Sequence, residues 1–76
     1  MRTFELWIEG YDYPAMKARK IADIEGPDFP QAIDKYVEEL PTKQAMCWEY
    51  CDDDHVWKWC GRRATDNEKS ARAIYG

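Results

Sequence analysis

The sequence has a single histidine, His55, and it stands in an acidic loop with no partner to orient it. A Cys51–His55 pair is conceivable across a hairpin, but no nucleophile elbow or oxyanion nest accompanies it. The four glycines, Gly10, Gly26, Gly61 and Gly76, are scattered, so no phosphate-cradling loop is present. These absences point away from catalysis, and we expect a chain that is no enzyme and uses no cofactor. No apolar run approaches the length of a membrane span. Glu5 and Glu9 interrupt the apolar residues of the first segment, so it lacks the core of a signal peptide. The expectation is a cytoplasmic protein with no membrane partner. The three cysteines are an odd number, which fits reduced thiols better than a disulfide framework. Basic residues are outnumbered 11 to 15, for a net charge of −4. That balance argues against duplex nucleic acid, which needs a positive footprint, and suits a partner with a basic surface.

Aromatic residues are abundant: four tryptophans, five tyrosines and two phenylalanines in 76 residues. A chain this long makes one domain, 1–76, with a thin core. So small a core does not bury four indoles completely, and exposed indole anchors partners well.

From Thr3 to Glu9 apolar and polar residues alternate, with Phe4, Leu6 and Ile8 on one side, which predicts a half-buried strand. Gly10 to Pro14 reads as a loop. Met16 to Ile24 reads as a second strand with Met16, Ala18, Ala22 and Ile24 inward, and Lys20 breaks its alternation as a bulge would. Hairpin pairing then brings Glu5 and Glu9 near Lys17 and Arg19. Asp28 and Gln31 form a capping-box pattern with Pro30 in the first turn, and Phe29, Ile33, Tyr36, Val37 and Leu40 continue at helical spacing until Pro41. Ala45–Cys51 and Val56–Arg62 read as a second hairpin. Thr65 or Asp66 then caps a short helix whose apolar stripe is Ala71, Ile74 and Tyr75. The expected fold is α+β: a four-stranded antiparallel sheet in a ββαββα order with both helices on one face.

Met46, Trp48 and Tyr50 share one face of the third strand, and Trp57 and Trp59 share one face of the fourth. A two- or four-residue loop puts these sets on the same side, whereas a three-residue loop separates them. One reading is core packing with cross-strand aromatic pairs. The other is a partner-binding surface of Trp48, Trp57 and Trp59 edged by Asp52, Asp53 and Asp54. Cys47, Cys51, His55 and Cys60 carry zinc-type donors, but along a strand Cys47 and Cys51 lie roughly 13 Å apart, too far for one ion without a bulge. No metal is expected. Trp59 with Arg62 and Arg63 suits stacking and phosphate recognition, and marks an alternative site for a nucleotide or single-stranded nucleic acid.

The stretch Trp59-Cys60-Gly61-Arg62-Arg63-Ala64-Thr65-Asp66-Asn67-Glu68, closing on Ala71-Arg72 and Tyr75-Gly76, resembles the tail of small uncharacterised proteins carried by bacterial phages and mobile elements. The opening Glu5-Leu6-Trp7-Ile8-Glu9-Gly10-Tyr11 and the helix capped by Asp28 are similar to theirs. Ala64 departs from the pattern, where a bulky apolar residue is expected, and so does the cysteine-rich hairpin. The resemblance implies a mobile-element origin and a life in the cytoplasm of a host bacterium, and it brings no catalytic residues. The expected function is therefore that of a small acidic binding protein that inhibits or modulates a host defence or nucleic-acid-processing protein by direct contact. Two alternatives stand beside it, a nucleotide or single-strand binding module and a homo-oligomeric structural subunit such as a homodimer.

Overall fold

A computed structural model of the chain describes residues 1–11 and 16–73. The chain runs through β1 (Arg2–Ile8), β2 (Arg19–Gly26), α1 (Phe29–Glu38), a single turn α2 (Thr42–Ala45), β3 (Trp48–Cys51), β4 (Val56–Trp59), β5 (Arg62–Thr65) and another single turn, α3 (Glu68–Ala71). The fold is α+β on an antiparallel sheet, but among the described residues the sheet has five strands in the order β2-β1-β5-β4-β3, not four.

The extra strand comes from a break in the expected run Val56–Arg62. Trp59 and Arg62 face each other, and the two residues between them, Cys60 and Gly61, have φ of 51° and 80°. Two successive positive φ values are the signature of a type I′ hairpin turn, whose twist matches that of the flanking strands. The chain therefore reverses at Cys60-Gly61, and β5 joins the two hairpins by pairing with β1. The ββαββα order gives way to ββααβββα.

The first hairpin follows the alternation. Phe4, Leu6 and Ile8 are buried on one face, with Ile24 and Ala64 beside them. The register steps from Leu6↔Ala22 to Trp7↔Lys20, so Ile21 is the extra residue of a bulge at the predicted place. The bulge changes the charge pairing. Glu5 meets Lys20 at 3.7 Å, Lys20 also meets Asp23 at 3.0 Å, and neither Lys17 nor Arg19 joins an ion pair among the described residues.

Helix α1 begins as its sequence dictates. The Asp28 carboxylate accepts from the Gln31 N–H at 2.8 Å and from the Gln31 side-chain amide at 2.9 Å, and Pro30 lies in the first turn. Its buried face, Ala32 and Ile33 with Phe29, Tyr36, Val37 and Leu40 packed alongside, covers the apolar side of the sheet and rests mainly on β2. The last helix is capped by neither Thr65 nor Asp66: the Asn67 side chain accepts from the Ser70 N–H at 2.7 Å. This turn docks where the Gly10 N–H meets the Ala71 carbonyl at 3.2 Å, and its buried Ala71 stands apart from the main core cluster. Residues 12–14 of the expected loop and the stripe residues Ile74 and Tyr75 lie outside the described residues.

The strand expected from Ala45 starts only at Trp48, because Pro41 and the residues after it wind into α2 first. Met46 caps that turn and is exposed, so it is not part of the aromatic strand face.

Candidate functional site

Cys51 pairs with Val56, leaving Asp52, Asp53, Asp54 and His55 as a four-residue loop. His55 takes a left-handed φ of 54°, which lets the chain return in register. The even loop places Trp48 opposite Trp59 and Tyr50 opposite Trp57. All four rings therefore share one face of the hairpin. Trp59 also pairs with Arg62, which puts that face on the side of Ala64, Ile8 and the core.

Helix α1 covers part of this aromatic face. Trp48 is only 8% exposed and meets Tyr36 edge-on at 6.1 Å. Trp57 is half-buried, and its indole N–H donates to the Pro30 carbonyl at 3.2 Å. Of the three tryptophans expected to bind a partner, Trp48 is thus committed to the core and Trp57 is tied to the start of α1. The accessible aromatic surface at the hairpin end is Tyr50, 40% exposed, with Trp57 against it at 5.6 Å. The aspartates beside them are exposed. Asp54 accepts from Lys58 at 3.5 Å and from the Cys51 thiol at 3.7 Å, while Asp52 and Asp53 have no side-chain partner among the described residues.

Arg62 and Arg63 do not form one corner. Strand alternation turns them to opposite faces. Arg62 is 3% exposed; its Nε donates to the Glu9 carbonyl at 2.7 Å and its Nη2 to the Lys17 carbonyl at 2.8 Å. Its guanidinium also lies 5.4 Å from the Tyr11 ring and 5.8 Å from Trp59. Burial, and after it the nearby charge of Arg19, pull its pKa below the usual arginine value. The proposed phosphate ligand is therefore a structural cation. Arg63 is exposed opposite Lys58, away from Trp59.

The cationic neighbour that does reach Trp59 from outside is Arg19, 5.6 Å from the ring centroid. Strict alternation would leave Arg19 on the polar face of β2. The bulge at Ile21 moves it to the row of Ile8, and so to the aromatic face. Arg19 and Trp59, with Tyr36, Leu40, Lys43 and Trp48, line a groove of about 360 Å³ at the end of α1. Lys43 reaches it from α2, a turn that the hydrophobic pattern did not announce.

Cys47 and Cys60 oppose each other one step beyond the Trp48–Trp59 pair, with the Cys60 N–H on the Cys47 carbonyl at 2.8 Å. Cys51 lies at the other end of the strand. Among the described residues no three His, Cys, Asp or Glu side chains converge on a common point suited to a metal. Among the described residues no helix is long and apolar enough to cross a membrane.

No protein-family model, no curated protein and no solved structure matches this chain.

Proposed function

We propose that the chain is a small binding protein that acts by direct contact with another protein through the tip of the β3–β4 hairpin. The observation that carries this reading is the pair of carboxylates on Asp52 and Asp53, which have no side-chain partner among the described residues, close in the chain to the exposed ring of Tyr50. Charges left without an internal partner steer association, and an adjoining aromatic supplies desolvated contact area. The target is accordingly a protein with a basic surface. Trp57 belongs to this surface through its ring edge against Tyr50. The phage-like pattern of the sequence suggests the setting, a host protein of defence or nucleic-acid processing that the chain inhibits or modulates in the host cytoplasm.

The test uses the full chain, tagged, in a bacterial lysate treated with nuclease. A protein captured by the parent is compared on Asp53→Lys and Tyr50→Ala, both changed at exposed positions that leave α1 and its contacts intact. Loss of that protein with either variant supports the reading. Equal capture by both variants overturns it, and a particle mass in light scattering that doubles with concentration transfers the surface to a homodimer.

A further inference from the structure

The groove at the end of α1 runs against the composition of the chain. Among the described residues its lining holds Arg19 and Lys43 and no carboxylate, although acids outnumber bases 15 to 11 in the sequence. Neither cation joins an ion pair among the described residues, whereas Lys20, Lys58 and Arg72 all do. Arg19 also stands beside a second cation. Its guanidinium and that of Arg62 lie 5.6 and 5.8 Å from the centre of the same indole, Trp59. Arg62 has the Glu9 and Lys17 carbonyls for its N–H groups, and Arg19 has no such acceptor among the described residues. Like charges gathered on one ring without an anion are held at a cost that a bound anion would relieve.

Apart from Gln44, the rest of the groove is apolar and aromatic. Trp48, Trp59 and Tyr36 present ring surface, and Leu40 closes one side. A volume of about 360 Å³ suits a small ligand and not a protein segment. The ligand that matches both halves has a flat aromatic ring joined to an anionic group.

We propose that this groove binds a nucleoside phosphate, with its base against the Trp59 indole and its phosphate between Arg19 and Lys43. The site is separate from the acidic hairpin tip, so either reading can fail without the other. Ring stacking and charge-assisted hydrogen bonds each contribute to such a site, and the geometry divides them between Trp59 and the two cations. The nucleotide is recognised either free or as one unit of a single strand, since both present the same base and phosphate.

Tryptophan fluorescence of the full chain reports the test, because Trp48 and Trp59 line the groove. AMP is expected to change the emission saturably, while adenosine and ribose 5-phosphate bind about tenfold or more weakly, each lacking one half of the ligand. Arg19→Gln and Lys43→Gln, both at exposed positions, are expected to weaken AMP by about tenfold with a parent-like melting curve. Arg63→Gln and Asp53→Lys bind AMP as the parent does. A short oligothymidylate that binds more tightly than TMP identifies a strand as the source, and equal affinity identifies the free nucleotide. Flat titrations with mononucleotides and oligonucleotides alike overturn the proposal, as does unchanged AMP affinity in the Arg19 and Lys43 variants.

Discussion

Gly26, the last residue of β2, lies so close to Ala32 of α1 that a Cβ on the glycine would stand 2.8 Å from the Ala32 Cα and 2.9 Å from its Cβ. Real Cβ atoms do not approach other carbons so closely, so glycine here sets how near α1 can come to the sheet. Gly26→Ala is expected to push the helix outward and lower stability by about 1–3 kcal/mol, the usual penalty for overpacking. Urea unfolding followed by far-UV circular dichroism measures it. Ala32→Gly added to that variant is expected to recover little, because the Ala32 Cα and N are themselves within 2.9 Å of the added carbon. Full recovery would mean that the Ala32 methyl, and not the helix backbone, sets the spacing.

Arg62 makes the opposite kind of contact, polar and buried. Through the Glu9 and Lys17 carbonyls it ties the end of β1 and the approach to β2 onto β5. Arg62→Met keeps the apolar stem and removes the donors, so two carbonyls lose their partners. The expected loss is about 2–4 kcal/mol, since an acceptor left unpaired costs about 1–3 kcal/mol. Arg62→Lys is expected to restore only part of it, because an ammonium does not reproduce the fork that reaches both carbonyls. The pKa is lowered, yet the guanidinium remains a cation at any pH near neutrality. The loss should therefore be the same at mildly acidic and mildly alkaline pH. A parent-like unfolding midpoint for Arg62→Met would show that the two hydrogen bonds carry no net stability.

The parts legible in the sequence are those where one physical signal dominates. The alternation of Phe4, Leu6 and Ile8 has one solution, and Asp28 with Gln31 announces a helix start by chemistry that acts over three residues. Even the bulge near Lys20 is visible as a break in period. The β4–β5 reversal is hidden because Cys60 is an unusual residue for its place. Asn-Gly at the same position would mark a type I′ turn, while Cys-Gly inside an apolar run reads as strand. That one hidden turn has large consequences. It adds a strand, reverses the direction of the chain after Gly61, and sends Arg62 inward while its neighbour Arg63 faces out. The aromatic face of the β3–β4 hairpin hinged on loop parity, which is set by the left-handed His55 and by pairings along the whole strand. The groove was illegible for a related reason. Arg19, Lys43 and Trp59 come from three separate elements, and only the bulge and the α2 turn bring them together.

The same turn makes a prediction of its own. Cys60 holds φ at 51°, a conformation that costs most side chains about 1–2 kcal/mol and that asparagine tolerates. Cys60→Asn should therefore stabilise the fold by about 0.5–1 kcal/mol, seen as a higher midpoint in urea. Cys60→Val, branched at Cβ, should be less stable than the parent by a larger margin. Equal stability of all three chains would mean that the reversal is held by the strands alone.

The last expectation concerns the thiols. The Cys60 N–H donates to the Cys47 carbonyl at 2.8 Å while the Cys47 N–H turns to the Gln44 carbonyl, so the two cysteines meet just beyond the end of the β3–β4 ladder. Partial desolvation, and after it the neighbouring Cys47 thiol, push the Cys60 thiol above its ordinary pKa even though the residue as a whole is exposed. Both effects agree with sulfurs that face each other. Cys51, paired with Val56 at the far end of the hairpin, is roughly 13 Å along the strand from Cys47. Diamide, which accepts the two hydrogens of a thiol pair, is expected to join Cys47 to Cys60 in the folded monomer and to leave Cys51 free. Peptide mapping by mass spectrometry after blocking free thiols identifies the linkage. Cys47→Ser should abolish it, and Cys51→Ser should not. A cross-link dominated by Cys51 would contradict the register that places Trp48 against Trp59, and with it the shared aromatic face of the hairpin.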